Sequence, residues 1–575
     1  PEAVFAMSTA IDGVLSLVYA GLELDMDGIA RIREAAQKGT IVLLPSHKSH
    51  MDYLLLSYLL KRQNLPLPLI AAGDNLSFFP LGMLLRRGGA FFIRRSFKGD
   101  RLYVSVVDAY LRRLLRDGWP IEFFLEGTRS RTGKLLPPKL GLLNMIVDSA
   151  MALRAREVYF IPISIGYERL LEEHSHVREL LGAEKTKENA TGLLRALKIL
   201  AEQYGRLNVQ VGEIFKLSDV AASYGASPDG APTPAIRREV TRHVAYRTMA
   251  EINKATAATP GAVVALALLT HGRRGMPHAE LVTRVRWIVS ALRQRGARMT
   301  EALATPSGAL RPACVREATS MFEEAELVQV HVAGESLSVT RKKEARSYGT
   351  EDVIYSVPDR KRLALDLSKN IILHFFVPEA LVSTAMLAPP GPPISLATAR
   401  DRAHKLAQLF KYEFMFHPNA SIDQVFQTTV SRMLDQAEIQ SISEQLSFGP
   451  GHDGVDGRGW LVLYASMLRN FFEAYRVAAR GLSILLKGPL TEKELVRRTL
   501  TLGDQMYLAG EIERHEALSR QCFENALQAF IDQGYLRRIE AKKLELSESF
   551  QEAETVRAIE ARIANFLPRR AEDRS

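Results

Sequence analysis

The stretch that decides how the first half of this chain folds is Thr40-Ile-Val-Leu-Leu-Pro45-Ser-His47-Lys-Ser-His-Met-Asp52. Residues 40–44 form a short apolar run ended by a proline, and this pattern predicts a buried β-strand. Residues 51–60 have the apolar spacing of a helix. His47 is therefore predicted at a junction between a strand and a helix, a position that commonly carries active sites.

Short apolar runs alternate with helical patterns along the rest of this half. Strands are predicted at residues 67–72, 90–93, 121–125, 158–165 and 209–211, and helices at residues 78–87, 101–117, 142–156 and 235–254. The alternation predicts an α/β layered domain with a mixed central sheet. We place this domain at residues 1–255, with a helical lead-in over residues 1–39.

Residues 256–575 are predicted to form a second, mostly α-helical C-terminal domain with small β hairpins. Residues 275–339 and 488–546 resemble each other weakly, since helices lead into a hairpin-like tail in both stretches. This pattern predicts a helical bundle with winged-helix-like units.

Composition limits the classes of function. The 575 residues carry a net charge of +10, and residues 61–160 hold 17 Lys/Arg against 8 Asp/Glu, which suggests an anionic partner such as lipid, nucleic acid, phosphorylated metabolites or an acidic carrier protein. The two cysteines lie far apart and argue against a disulfide framework or a zinc site. No apolar run reaches the length of a membrane-spanning helix. The α/β half has no motif of a P-loop protein, a GxSxG hydrolase or an HExxH zinc enzyme.

His47 and Asp52 are the first candidate catalytic residues. They lie five positions apart on a turn that enters a helix, so the carboxylate is close enough to bond one ring nitrogen. It then fixes the tautomer of the imidazole, whose other nitrogen can take a proton from an alcohol. From spacing alone, the alternative is a buried histidine bonded to a helix-capping aspartate.

Arg94 and Arg95 follow the strand predicted at residues 90–93. Two guanidinium groups at the end of a strand suit a phosphate, which they bind through paired hydrogen bonds. The alternative is a solvated basic turn, because Lys98 continues the run of positive charge.

A third candidate site is the loop Phe123-Phe-Leu-Glu126-Gly127-Thr128-Arg129-Ser-Arg-Thr-Gly133-Lys134. Its glycines let the backbone approach a ligand, its amides suit a phosphate or a developing oxyanion, and Arg129 supplies a permanent positive charge. The loop is predicted to bind an anion. Glu126 keeps two possible roles: it orients Arg129 or the substrate hydroxyls, or it is a structural ion-pair partner.

Four short blocks occur in order along the first half: Pro45-Ser-His47-Lys-Ser-His-Met-Asp52, Gly89-Ala-Phe-Phe-Ile-Arg94-Arg95, Phe124-Leu-Glu126-Gly127-Thr-Arg129-Ser-Arg and Ile161-Pro162-Ile-Ser-Ile. Together they resemble the glycerolipid acyltransferase family with its His-x4-Asp motif, and most closely its bacterial membrane-bound glycerol-3-phosphate 1-O-acyltransferases. The resemblance continues into the helical part, at residues 371–382 and 471–479. There are two departures, since Lys48 stands where many relatives have arginine and Thr128 where glycine is common.

The resemblance implies transfer of a fatty acyl group from acyl-CoA or acyl carrier protein to sn-glycerol 3-phosphate, giving lysophosphatidate without a metal or cofactor. It implies His47 and Asp52 as catalytic residues. The implied substrate-binding residues are Arg94, Arg95, Glu126, Gly127, Thr128 and Arg129, with Pro162 on the acyl side. It also implies a region longer than the 46 residues before His47, so a shortened chain or a compact relative is expected.

The implied location is the cytoplasmic face of a bacterial inner membrane, where the enzyme binds an anionic surface as a peripheral or monotopic protein and binds no nucleic acid. Candidate membrane contacts are Phe78, Phe79, Leu81, Leu84 and Leu85, and a second set at Ile371, Ile372, Leu373, Phe375 and Phe376; core packing is the alternative for both.

Three other functions stay open. The acceptor is dihydroxyacetone phosphate or lysophosphatidate in the first. The second is a basic nucleic-acid-binding protein that uses its winged-helix-like tails. The third is an inactive lipid-binding scaffold.

Overall fold

A computed structural model describes residue 13 and residues 18–77, 81–94, 99–153, 156–183, 204–226, 232–332, 353–415 and 420–567. None of the helices in these ranges combines the length and the apolar character needed to span a membrane.

Within these residues, eight strands form one mixed sheet in the first half. They are β1 (Gly21–Leu24), β2 (Thr40–Pro45), β3 (Leu69–Gly73), β4 (Ala90–Ile93), β5 (Ile121–Glu122), β6 (Val158–Tyr167), β7 (Arg206–Val211) and β8 (Phe215–Lys216). Their order is β1-β7-β6-β2-β5-β3-β4, with β8 paired to β6. Strands β2 to β6 run parallel, while β7 and β8 run antiparallel to β6. The carboxyl ends of five parallel strands therefore share one edge of the sheet, where α/β proteins usually bind ligands.

Helices cover both faces of this sheet. They are α1 (Met26–Lys38), α2 (Asp52–Arg62), α3 (Leu81–Arg87), α4 (Arg101–Asp117), α5 (Leu140–Leu153), α6 (Glu173–Leu180), α7 (Leu217–Ser223) and α8 (Pro234–Ala255). Alternate residues of β2 enter different cores, because successive side chains of a strand point to opposite faces. Leu43 packs in the core that includes residues of α1 and α2, and Val42 in the core that includes residues of α4, α5 and α8. The predicted layered α/β fold with a mixed sheet is confirmed.

The prediction of a helical lead-in over residues 1–39 was wrong for residues 21–24. Residues 21–24 form β1, which pairs in parallel with β7 at the edge of the sheet. Helix α1 begins at Met26, where the Asp25 side chain accepts a hydrogen bond from the Gly28 amide and caps the helix. Four residues that alternate between leucine and other types are too few to reveal a strand by periodicity.

Within the described residues of the second half, the same order of helices and strands occurs three times. The first unit, preceded by β9 (Ala257–Ala258), consists of α9 (Pro260–Thr270), β10 (Gly275–Pro277), α10 (His278–Gln294), β11 (Arg298–Met299), α11 (Cys314–Glu324), β12 (Gln329–Val332) and β13 (Val353–Ser356); α12 (Arg362–Asn370) follows it. The second consists of α13 (Val377–Leu387), β14 (Ile394–Ser395), α14 (Leu396–Leu409), α15 (Ile422–Asp435), β15 (Ile439–Ile442) and β16 (Gln445–Phe448), followed by α16 (Gly457–Met467). The third consists of α17 (Arg469–Gly481), β17 (Leu490–Thr491), α18 (Glu492–Leu508), α19 (Arg520–Asp532), β18 (Leu536–Ile539) and β19 (Lys543–Leu546), followed by α20 (Ala553–Ala564).

In every unit the first helix packs against the next two helices. The short strand between the first and second helices pairs with the last strand of the hairpin. This pairing gives the sheets β10-β13-β12, β14-β16-β15 and β17-β19-β18. This order of elements is that of a winged helix. The prediction of a mostly helical second half is confirmed. The sequence similarity between residues 275–339 and 488–546 indicated the first and third units but not the middle one.

Candidate active site

His47 lies just beyond β2, at the edge where the parallel strands end. Strand β2 is central, between β5 and β6. The loop after β5 bonds back to the His47 backbone, since the Ser130 amide donates to the His47 carbonyl over 2.8 Å. The predicted junction and the predicted anion-binding loop therefore meet at one place in the fold.

The His47 and Asp52 side chains are bonded as the spacing predicts. The distance from His47 Nδ1 to Asp52 Oδ2 is 3.0 Å, and the exposed fractions of the two side chains are 15% and 0%. The imidazole stacks on the Phe124 ring, with 4.0 Å between the centroids. With Nδ1 on the carboxylate, Nε2 is the nitrogen that can accept a proton.

Asp52 does not cap its own helix, which was the alternative reading. Its Oδ2 accepts the backbone amides of Lys48 at 2.7 Å and Ser49 at 2.9 Å, and its Oδ1 accepts the Tyr167 hydroxyl at 2.5 Å. The carboxylate thus holds the backbone of the His47 loop as well as the imidazole. Tyr167 is a partner that the motifs did not reveal, because it lies 115 positions away at the end of β6.

Burial lowers the pKa of His47 below its usual value near 6.5, an effect that the Asp52 carboxylate opposes and Arg129 reinforces. The imidazole is therefore neutral at pH 7. A neutral imidazole with its tautomer fixed by a carboxylate is the resting form of a general base.

The Glu126 carboxylate bonds the backbone, a contact that the sequence analysis did not predict. Its Oε1 accepts the His47 amide at 2.7 Å and its Oε2 accepts the Leu136 amide at 2.8 Å. Burial raises the pKa of Glu126 to about 8, against the effect of these two amides and of the Lys48 ammonium. Glu126 therefore positions the backbone on both sides of the loop.

Arg129 is held by Glu172, a residue that sequence reasoning missed. Arg129 Nη1 lies 3.4 Å from Glu172 Oε1, and the same oxygen accepts the Ser49 hydroxyl at 3.1 Å and the His50 amide at 2.9 Å. Glu172 therefore joins the His47 loop to the Arg129 loop. No motif marks it, since it follows β6 by five residues and lies outside the four blocks.

Gly127 and Thr128 lie in the turn before Arg129. Gly127 has a φ of +68°, which side chains rarely adopt, and a Cβ there would lie 3.0 Å from Lys139 Cγ. The Thr128 hydroxyl accepts a hydrogen bond from Arg131 at 2.8 Å, and Arg131 in turn pairs with Glu179 on α6. These contacts make the loop compact.

The second half of the chain supports the same loop. The Thr132 carbonyl accepts a hydrogen bond from the Asn370 side chain at 2.9 Å, and Lys134 pairs with buried Glu413. A Cβ on Gly133, whose φ is +80°, would lie 2.2 Å from the Leu367 carbonyl. Helix α12 therefore packs on the loop so closely that only glycine fits there.

Arg94 is not beside His47. It follows β4, three strands from β2, which is about 14 Å along the sheet. Its guanidinium pairs with Asp100 at 2.8 Å and lies over the Tyr103 ring. Arg95 lies outside the described residues. Pro162 pairs with Leu44 in the sheet, and its carbonyl accepts the Gly212 amide at 2.9 Å.

A cavity of about 260 Å³ lies between the two halves of the chain. Lys48, next to His47, lines it together with Asn370 of α12. Most of its other lining is apolar and includes Leu135, Met249, Ala250, Leu373, Val377 and Phe414. An apolar cavity with a few polar groups is typical of a ligand site.

The second set of candidate membrane contacts was wrong, because those side chains form part of the core. The exposed fractions are 5% for Ile371 and 0% for Ile372, Leu373 and Phe376. In the first set Leu85 is also buried, while Phe78 and Phe79 lie outside the described residues.

Two family profiles match the chain. One, described as "Glycerol-3-phosphate acyltransferase C-terminal region", matches residues 176–539, and one described as "Acyltransferase" matches residues 28–166.

Curated relatives resemble most of the sequence. The dihydroxyacetone phosphate acyltransferase of Homo sapiens is 30% identical over 92% of this chain and 76% of its own length. The glycerol-3-phosphate acyltransferase of Pseudomonas fluorescens is 28% identical over 93% of this chain and 61% of its own length. That of Xanthomonas axonopodis pv. citri is 40% identical over 278 residues, which are 47% of this chain and 31% of its own length.

Proposed function

Since this chain belongs to the glycerol-3-phosphate acyltransferase family and is an acyltransferase, we propose that it transfers a fatty acyl group from a thioester to the 1-hydroxyl of sn-glycerol 3-phosphate. The observation that carries the proposal is the buried Asp52 carboxylate bonded to His47 Nδ1. This pair prepares Nε2 to accept the proton of an alcohol. Lysophosphatidate is the product.

In the proposed reaction His47 acts as general base. Nε2 takes the hydroxyl proton as the substrate oxygen attacks the thioester carbonyl, and the new C–O bond forms while the C–S bond breaks. The proton then passes from the imidazolium to the departing thiolate of coenzyme A or acyl carrier protein. Asp52 stabilises the imidazolium in between. Transfer is direct, with both substrates bound, and no acyl-enzyme forms.

Arg129 is the stronger candidate for binding the substrate phosphate. It is near His47, where it contributes to lowering the pKa of the imidazole, and Glu172 orients it. A guanidinium binds phosphate through paired hydrogen bonds. Arg94, about three strand spacings away, can take part only if its side chain extends back across the sheet edge.

The acceptor is tested by assaying purified protein in detergent with palmitoyl-CoA and either glycerol 3-phosphate or dihydroxyacetone phosphate. Both classes of acceptor occur in the names of the relatives, and both present a primary hydroxyl three carbons from a phosphate. The proposal expects the higher kcat/KM with glycerol 3-phosphate. A higher value with dihydroxyacetone phosphate replaces the acceptor but keeps the His47 chemistry, and no transfer to either rejects the proposal.

The activity of the protein is expected to rise with pH in one step whose pKa lies below 6.5. His47 must be neutral to accept a proton, and burial holds its pKa below 6.5. Activity is therefore lost as the pH falls through that value and is constant above it until other groups titrate. A profile of log kcat/KM against pH measures this step, and an apparent pKa above 7 contradicts the assignment.

The cavity between the two halves is proposed to take the acyl chain. Ala250→Phe should fill part of it and lower kcat/KM for palmitoyl-CoA by about tenfold relative to octanoyl-CoA, since each methylene kept from apolar contact costs about 0.8 kcal/mol. Ala222→Phe, on the exposed face of α7, is the matched control. Equal effects of Ala250→Phe on both donors place the acyl chain elsewhere.

The product is a lipid, so we place the protein at the cytoplasmic face of a membrane as a peripheral or monotopic enzyme.

The nucleic-acid alternative is disfavoured by charge. The third helix of each winged-helix unit carries one arginine against two or more carboxylates, whereas a helix that contacts DNA needs an excess of positive charge.

A further inference from the structure

Helix α4 has an apolar stripe on the side that faces away from the sheet. The exposed fractions are 76% for Leu102, 57% for Val106 and 41% for Tyr110. These residues are four positions apart, so they lie above one another on one face of the helix. The opposite face is buried through Val107 and Leu111.

The stripe reaches the edge strand of the sheet through Tyr110. Strand β4 is the last strand in the sheet order, and the Tyr110 ring contacts Phe91 of β4 edge to face at 5.3 Å. Single exposed apolar residues are common on proteins, but contiguous ones mark interaction sites.

Positive charge is in excess on helices α3 and α4 and in the described residues between them. The described residues between 81 and 117 include seven arginines and three carboxylates, a net charge of +4: Arg86, Arg87, Arg94, Arg101, Arg112, Arg113 and Arg116 against Asp100, Asp108 and Asp117. An apolar helix face flanked by arginines matches the interface of an anionic bilayer, where side chains of both kinds are stabilised.

We propose that the outer face of α4 docks on an anionic phospholipid surface. The helix lies in the plane of the interface, and Leu102, Val106 and Tyr110 enter the acyl boundary. Arg94, Arg112 and Arg113 pair with the three carboxylates, so Arg86, Arg87, Arg101 and Arg116 carry the net charge and contact lipid phosphates. Helix α4 begins at Arg101, eight residues after β4 ends at Ile93 on the edge where the parallel strands end, so the lipid surface lies on the side from which lipid substrates arrive. The statement about lipid substrates rests on the proposed function, whereas the docking of α4 on a lipid surface does not.

The test measures co-sedimentation of the full chain with vesicles of phosphatidylcholine that contain about one third phosphatidylglycerol. Leu102→Asp/Val106→Asp is expected to reduce the partition coefficient at least tenfold, and Leu102→Ser/Val106→Ser to reduce it less. Leu508→Asp removes a leucine that is 84% exposed on α18 and is expected to leave binding unchanged. Wild type should bind pure phosphatidylcholine vesicles several-fold more weakly.

Partition of both double variants like wild type overturns the proposal, as does equal loss with Leu508→Asp. Thiol release from octanoyl-CoA in vesicle-free buffer separates docking from catalysis, and it should be the same in wild type and the double variants. Vesicle binding without any acyl transfer rejects the proposed function and keeps the docking surface. Acyl transfer without vesicle binding that depends on α4 rejects the docking surface and keeps the proposed function.

Discussion

His47→Ala is expected to lower kcat/KM for acyl transfer to glycerol 3-phosphate by about 10³-fold. General base catalysis by a positioned imidazole contributes about 10² to 10⁴-fold, and no other described side chain has a nitrogen paired with Asp52. The initial rate of thiol release from palmitoyl-CoA measures the effect.

The fold should survive this change, since the imidazole contributes one bond to Asp52 and one stacking contact with Phe124. His174→Ala, on the exposed face of α6, is the matched control and should keep wild-type activity. A His47→Ala enzyme within tenfold of wild type removes His47 from the reaction.

Asp52→Asn is expected to lower kcat/KM by about 10² to 10⁴-fold and also to lower the free energy of unfolding by about 1 to 3 kcal/mol. The amide that replaces Oδ2 or Oδ1 is a donor, but Asp52 accepts hydrogen bonds from two backbone amides and from Tyr167. At least one buried donor then faces another donor. The tautomer of His47 is also no longer fixed.

Tyr167→Phe separates the two effects, because it removes one hydrogen bond to Asp52 and keeps the carboxylate. It should lower the midpoint of urea unfolding but reduce activity far less than Asp52→Asn. An Asp52→Asn variant that is less stable and yet fully active gives Asp52 a purely structural role.

Local features of the fold and of the site were predictable from sequence. The β2 run and helix α2 appear at nearly their predicted bounds, and α4 matches residues 101–117, because each has its own periodicity. The His47–Asp52 bond was also predictable, since both residues lie on one turn. What the motifs did not show are partners brought by distant strands: Tyr167 and Glu172 reach the His47 loop from 115 and 122 to 123 positions away.

The role of Glu126 was not predictable for a similar reason. Its neighbours in sequence are cations, which suggested an ion pair, but its carboxylate turns to the backbone of His47 and Leu136. Residues 371–376 show the same limit for membrane contacts. An apolar run beside a lysine fits an interface or a core, and only its packing in the hydrophobic core of the second half decides that it is core.

The middle winged-helix unit was missed because the three units share an order of elements more than a sequence. This unit supports the α/β half directly, since Glu413 follows α14 and pairs with Lys134 of the loop that is predicted to bind an anion. The second half thus holds the loop that carries Arg129.

The measurement that tests the central claim most directly follows thiol release and lipid product together, in one reaction of the purified protein with radiolabelled palmitoyl-CoA and glycerol 3-phosphate. Equal amounts of free thiol and labelled 1-acyl lysophosphatidate are predicted, with no thiol release and no label on the protein when the acceptor is omitted. A folded protein that makes no lysophosphatidate, or that becomes labelled without acceptor, contradicts direct transfer with His47 as the base.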